Sequence, residues 1–183
     1  MTKDELTTRL QKIKLLIADV DGVFTDGSLY IGDNGDEFKQ FHVLDGAGIA
    51  LLKAVNFPLA IISGRNSGVT THRMRELGLE KHLYQGNLAK IEPYREIRES
   101  FHLDDSEIVY IGDDLVDIPL IRRVGVGIAV ANALPEVQKT ATYVTRTKGG
   151  QGAVREVIEL ILKAQNKFDI AVEKITKDTY KDS

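Results

Sequence analysis

The chain has 183 residues, enough for one α/β domain with a full core and short for two. Its formal charge of −3 is spread over mixed signs, with no basic stripe to track a phosphate backbone, so no nucleic-acid partner is expected. Cysteine is absent, which excludes disulfides, thiolate metal sites and a cysteine nucleophile together. The opening MTKDELTTRLQKIK carries charges where a signal peptide needs apolar residues, and no apolar run approaches membrane-spanning length. A cytoplasmic protein with no membrane partner is the expectation.

Residues 3–12 suit a short helix, and Lys14–Val20 a first, buried strand. Ser28–Ile31 and Glu37–Phe41 flank Asn34-Gly35, a strong hairpin signal, so residues 24–41 read as a flap. Helix Asp45–Val55, strand Pro58–Ile62 and helix Asn66–Leu77 follow, the last closed by Gly78. Leu83-Tyr84 is a short strand, and Leu88–Phe101 is helical, bent or begun near Pro93. Strand Ile108–Ile111 leads to helix Leu115–Val124. Strand Val126–Val130, helix Pro135–Lys139, strand Ala141–Val144, a glycine loop at 149–152 and helix Ala153–Gln165 complete the pattern. Strands alternating with helices predict one Rossmann-like α/β domain over residues 1–165, a parallel sheet with helices on both faces. Residues 166–183 hold few apolar residues and read as a polar tail, loose or docked on a neighbour.

Polar groups stand at three strand ends: Asp19 and Asp21, Ser63, and Asp113 with Asp114. All C-terminal ends of a parallel sheet share one edge, so these groups converge there. Asp117, four residues after Asp113, faces the same way from the first helical turn. Five carboxylates around one crevice repel one another unless a cation intervenes. With oxygen ligands alone the fitting ion is Mg²⁺, held by few carboxylates plus water and substrate phosphate. Asp114 and Asp117 equally suit acids placed at a helix N-terminus. The glycines at 149, 150 and 152 lack the lysine of a phosphate loop and read as a tight turn.

The run Asp19-Val20-Asp21-Gly22-Val23-Phe24-Thr25-Asp26-Gly27 resembles the first motif of the haloacid dehalogenase superfamily of phosphatases. Ser63-Gly64-Arg65 matches its second motif, Lys90 its third, and Gly112-Asp113-Asp114-Leu115-Val116-Asp117 its fourth, in order. Residues 13–165, including Phe41–Gly46, Tyr84–Gly86, Tyr143–Arg146 and Gly149–Glu156, are similar to the branch that dephosphorylates 2-keto-3-deoxy sugar acids, the octulosonate phosphates of lipopolysaccharide synthesis.

That resemblance implies Asp19 as nucleophile forming an aspartyl-phosphate, and Asp21 as the acid and base that serves leaving group and water. It implies Mg²⁺ on Asp19, Asp113 and the backbone carbonyl of Asp21, with Asp114 and Asp117 orienting metal waters or Lys90. Ser63 and Lys90 would hold the phosphoryl group. Gly64, Arg65, Arg73 and the stretch His42, Val43, Leu44, Asp45, Gly46 would bind the phosphorylated sugar acid, with Arg65 and Arg73 on one helix. Only about 40 residues separate Asp21 from Ser63, too few for a separate cap domain. The resemblance therefore implies a homotetramer in which the flap and neighbouring subunits cover the site. Gln151 and Ala50 depart from the pattern, which often has arginine and a basic residue there. Nine-carbon sugar acid phosphates and a non-catalytic role in oligomer assembly stand as the alternatives.

Overall fold

In the computed structural model, which describes residues 2–179, six parallel strands form the centre of the molecule. They are β1 (Leu15–Ala18), β4 (Leu59–Ser63), β5 (Leu83–Gln85), β6 (Ile108–Gly112), β7 (Val126–Ala129) and β8 (Tyr143–Val144). Their order across the sheet is β5-β4-β1-β6-β7-β8. β1, β4, β6 and β7 are buried along their whole length, which explains their largely aliphatic runs. From β1 the chain first steps outward through β4 to β5, then returns to β6 on the other flank. The C-terminal ends of β4, β1 and β6 therefore border the topological switch point, where open α/β sheets bind ligands.

Two helical layers cover the sheet. Helices α1 (Lys3–Leu10), α2 (Val43–Ala54), α7 (Ala153–Ala164) and α8 (Phe168–Thr179) pack on one another. Helix α4 (Ile91–Ser100) meets α5 (Ile118–Arg123), which meets α6 (Pro135–Thr140). The remaining helix, α3 (Gly68–Glu76), follows β4. Pro93 falls in the first turn of α4 and Pro119 in the first turn of α5, where a missing N–H costs nothing. α7 buries Val154, Val157, Ile158, Ile161 and Leu162, a helical stripe facing the core. The flap strands β2 (Tyr30–Ile31) and β3 (Glu37–Phe38) pair antiparallel, with Gly35 at φ +83° in the turn.

The C-terminal stretch corrects the sequence reading. Residues 168–179 are not a tail but helix α8, lying on the chain's own α2 and α7. Ala171 is fully buried, Phe168 and Ile175 pack against the core, and Lys174 donates to the Ala54 carbonyl at 3.0 Å. Three apolar residues at i, i+3 and i+7 suffice because α2 and α7 already form a groove for them. Residues 180–183, part of the expected tail, lie outside the described residues.

Candidate active site

β1 ends at Ala18 and delivers Asp19, whose N–H donates to the Ile111 carbonyl of β6 at 3.0 Å. Asp113 follows the last residue of β6, so the two side chains meet across adjacent strands. Lys90 arrives as the residue capping α4; its ammonium is buried, 2.9 Å from Asp19 Oδ2 and 2.6 Å from Asp117 Oδ1. Carboxylate oxygens of Asp19, Asp113 and Asp117 all lie within 4.8 Å of one another.

Lone-pair accounting separates these three acids. Asp117 is fully buried and accepts four hydrogen bonds. Lys90 Nζ and Tyr110 Oη donate to its Oδ1 at 2.6 and 2.5 Å, and the N–H groups of Asp113 and Asp114 to its Oδ2 at 2.9 and 3.1 Å. A carboxylate offers about four acceptor sites, so Asp117 has none left for a metal. Asp113 Oδ1, by contrast, is buried with no hydrogen-bond partner among the described residues. An orphaned buried oxygen facing a second carboxylate is a donor set that fits a hard divalent cation.

The electrostatics agree. Burial first, then the charges of Asp19 and Asp117, push the Asp113 carboxyl up to about 8. Asp19 rises to about 7, chiefly through burial, with Lys90 opposing the shift. Burial alone would lower the Lys90 ammonium, but Asp19 and Asp117 outweigh it and hold it above its ordinary value. Two acids at this separation cannot both stay ionised cheaply without added positive charge.

The surrounding loop is shaped to expose this pair. Thr25, fully buried, accepts from the N–H groups of Gly22 and Gly27, each at 3.2 Å, and so ties the turn after Asp21. Gly22 has φ +85°, and a Cβ there would stand 2.1 Å from Asp113 Oδ2. The turn read at 149–152 packs against this loop: a Cβ on Gly149 would meet the Gly22 carbonyl at 1.7 Å. Its glycines allow close backbone approach. The resulting crevice, about 310 Å³, is walled by Asp19, Asp21, Lys90 and Asp113 with exposed Arg65, Leu88 and Val116 around them. That volume is at the small end for a ligand pocket.

The family description of haloacid dehalogenase-like hydrolases matches residues 65–158. The 3-deoxy-D-manno-octulosonate 8-phosphate phosphatase of Yersinia pestis is 46% identical over 166 residues, 91% of this chain and 88% of that protein. The chain belongs to the haloacid dehalogenase-like hydrolases. Among solved structures, the octulosonate 8-phosphate phosphatase of Moraxella catarrhalis, in complex with magnesium, phosphate and KDO, superposes with a TM-score of 0.91. It is 40% identical, and the match covers 95% of this chain and 99% of that one. The cobalt-bound Haemophilus influenzae phosphatase gives a TM-score of 0.84 at 39% identity, covering 88% and 94%.

Other expected site residues of this hydrolase lie elsewhere or act differently. Ser63 is fully buried; its hydroxyl donates to the Arg65 carbonyl at 3.2 Å and closes the turn that places Gly64 and Arg65 on the crevice wall. Arg65 stands in that loop, before α3, while Arg73 is within α3, so the two do not share a helix. Asp114 is exposed on the crevice wall and caps the next turn, accepting from the Leu115 N–H at 2.7 Å; among the described residues, Lys90 pairs with Asp19 and Asp117 instead. His42 caps α2 through the Leu44 N–H at 3.2 Å, which starts that helix at Val43, two residues before the expected Asp45. Val43 and Leu44 are exposed, and neither they, His42, Gly46 nor Arg73 lines the Asp19 crevice.

Asp45, expected in a sugar pocket, is buried and caps a different helix. Its Oδ1 accepts from the Arg155 N–H at 2.9 Å, in the first turn of α7, whose own N-cap Gly152 has no side chain to offer. Burial raises its carboxyl to about 6, against the Arg155 N–H and His42, which lower it. The folded state then holds the proton at pH values where the unfolded chain has lost it. Stability from this group is present below about pH 4 and lost as pH rises through about 6. Asp45→Asn keeps the accepting oxygen without the charge. In urea denaturation it should match the parent near pH 4 and exceed it by about 1–3 kcal/mol near pH 7.

Sequence reasoning passed over Tyr110, Lys39 and Glu37. Tyr110 had a signal: one hydroxyl in an otherwise aliphatic buried strand must find a partner. Lys39 and Glu37 are inward-facing charges on the flap, with Phe38 turned outward between them. Their alternation is visible in the sequence, but its direction is the reverse of an ordinary strand.

Proposed function

We propose that the chain is a Mg²⁺-dependent phosphomonoesterase that hydrolyses 3-deoxy-D-manno-octulosonate 8-phosphate to the free sugar acid and phosphate. The observation that carries this is the Asp19–Asp113 pair, whose orphaned oxygen calls for a cation beside a lysine at the switch point, in a chain this similar to phosphatases named for that substrate. Asp19 attacks phosphorus in line and becomes an aspartyl-phosphate, dividing one hard displacement into two. Asp21 gives its proton to the departing sugar oxygen, then takes one from the water that cleaves the acyl-phosphate bond. Lys90 and Ser63 hold the phosphoryl oxygens, Ser63 turning its hydroxyl from the Arg65 carbonyl to do so. Mg²⁺, held by Asp19, Asp113 and the Asp21 backbone carbonyl, would neutralise phosphoryl charge.

A crevice of about 310 Å³ houses the phosphoryl group and little of an eight-carbon sugar. Leu29, Tyr30, Ile31 and Phe38 of the flap are exposed, as are Val43 and Leu44, an apolar surface suited to cover by other subunits. This supports a homotetramer in which neighbours supply the rest of the sugar site, with His42, Val43, Leu44, Gly46 and Arg73 contributing from the subunit edge. No described helix is long and apolar enough to cross a membrane; the reading places the reaction in the cytoplasm, within lipopolysaccharide precursor synthesis.

Phosphate release from octulosonate 8-phosphate should require Mg²⁺ and stop with EDTA. No metal-dependent release from any phosphomonoester would leave only the non-catalytic alternative. The octulosonate should exceed nine-carbon sugar acid phosphates in kcat/KM by at least about tenfold, roughly 1.4 kcal/mol of discrimination. A ratio near one or below would reassign the substrate.

A further inference from the structure

Lys39 follows β3 of the flap, and its side chain is wholly removed from solvent. Its ammonium meets three acceptors: Asp21 Oδ1 at 2.7 Å, Glu37 Oε1 at 3.2 Å and Thr70 Oγ1 at 3.3 Å. An ammonium has three donors and no acceptor, so every proton is matched. Glu37 also accepts from Ser67 Oγ at 3.3 Å and lies 3.9 Å from Arg65. One buried charge thus joins the flap, the loop after β1 and the start of α3.

Burying an ammonium is costly unless its partners are complete, and an exposed ion pair would avoid that cost. The flap needs such an anchor. Its two strands share the pairs Tyr30–Phe38 and Ile31–Glu37, with one further bridge, Thr25–Phe41, at the base, and the side chains of Tyr30, Ile31 and Phe38 face solvent. A two-stranded hairpin of that kind is marginal by itself. Lys39 fastens it at the carboxylate that serves as proton donor and acceptor. With Oδ1 so held, Oδ2 is the oxygen left to exchange a proton.

We propose that Lys39 is a positioning residue: it fixes the orientation of Asp21 for proton transfer and makes that orientation depend on the flap being seated. This rests on the phosphatase reading above, in which the Asp21 proton passes to the sugar oxygen as the P–O bond breaks. Lys39 itself transfers no proton and touches no substrate.

The test compares two leaving groups on the full-length, Mg²⁺-loaded protein. A sugar alkoxide must be protonated as it leaves, whereas 4-nitrophenolate departs unaided. In single-turnover experiments Lys39→Met should slow phosphoryl transfer from octulosonate 8-phosphate about 100-fold. The nitrophenolate burst from 4-nitrophenyl phosphate should stay within about threefold of the parent's, since that step needs no acid. An equal fall on both esters would reduce Lys39 to a structural support and overturn the proposal. Glu37→Gln, which weakens the same cluster while keeping an acceptor, carries the test if Lys39→Met does not fold. It should cost about tenfold on the sugar ester and leave the aryl burst in place; equal losses would again overturn the proposal. The parent run alongside separates the two readings: a parent with no burst and no release fails as a phosphatase, whatever Lys39 does.

Discussion

Asp19→Asn should lower kcat on octulosonate 8-phosphate by about 10⁴-fold, with the fold intact. The amide is no nucleophile. Folding should survive because the substitution removes a charge that burial already disfavours, as the rise of Asp19 to about 7 records. Lys90 keeps its shorter contact, to Asp117 at 2.6 Å. The check is a steady-state assay beside circular dichroism, with mass spectrometry of acid-quenched protein for the phosphoryl adduct. The parent should carry the adduct and the variant should not. Substantial residual turnover would mean that water, and not Asp19, attacks phosphorus.

Asp117→Ala should be the most destabilising single change in the site, by about 3–5 kcal/mol. It removes the acceptor of four hydrogen bonds and strands the Lys90 ammonium, 2% exposed, with one carboxylate in place of two. The two stranded backbone N–H groups belong to Asp113 and Asp114, so the loop that presents Asp113, the proposed metal ligand, should loosen as well. Activity should fall about 10²–10³-fold in whatever fraction folds, because on the proposed mechanism Lys90 loses its orientation towards the phosphoryl group. Asp117→Asn should fall between parent and alanine, since its NH₂ must face donors on one side or the other. Urea denaturation reads the first effect; a loss under about 1 kcal/mol would show that Asp117 is not the hub its contacts describe.

The two substitutions differ in kind, and the difference marks how far the sequence could be read. Asp19 ends an apolar strand, and that position alone puts it on the ligand-binding edge of a parallel sheet. Asp113 and Ser63 follow by the same reasoning. Asp114 and Asp117 lie in one acidic turn, and the sequence offers both the same roles. Only the folded structure shows Asp114 capping a turn in solvent while Asp117 is saturated beneath the site. Asp45 shows the same limit: an aspartate at the start of an amphipathic helix caps not that helix but α7, about 110 positions further on.

By itself the sequence determined the α/β alternation, the strand ends that carry acids, the need for a cation and the order of the four motifs. These are set by local periodicity and by the chirality of parallel crossovers, which each segment carries within itself. Tertiary structure decided which oxygen is left empty, that α8 docks on α2 and α7, and that Lys39 turns inward onto Asp21. Those outcomes depend on what arrives from distant segments to fill a lone pair, a groove or a donor. Spacing along the chain encodes a face or an edge, and only packing encodes the partner.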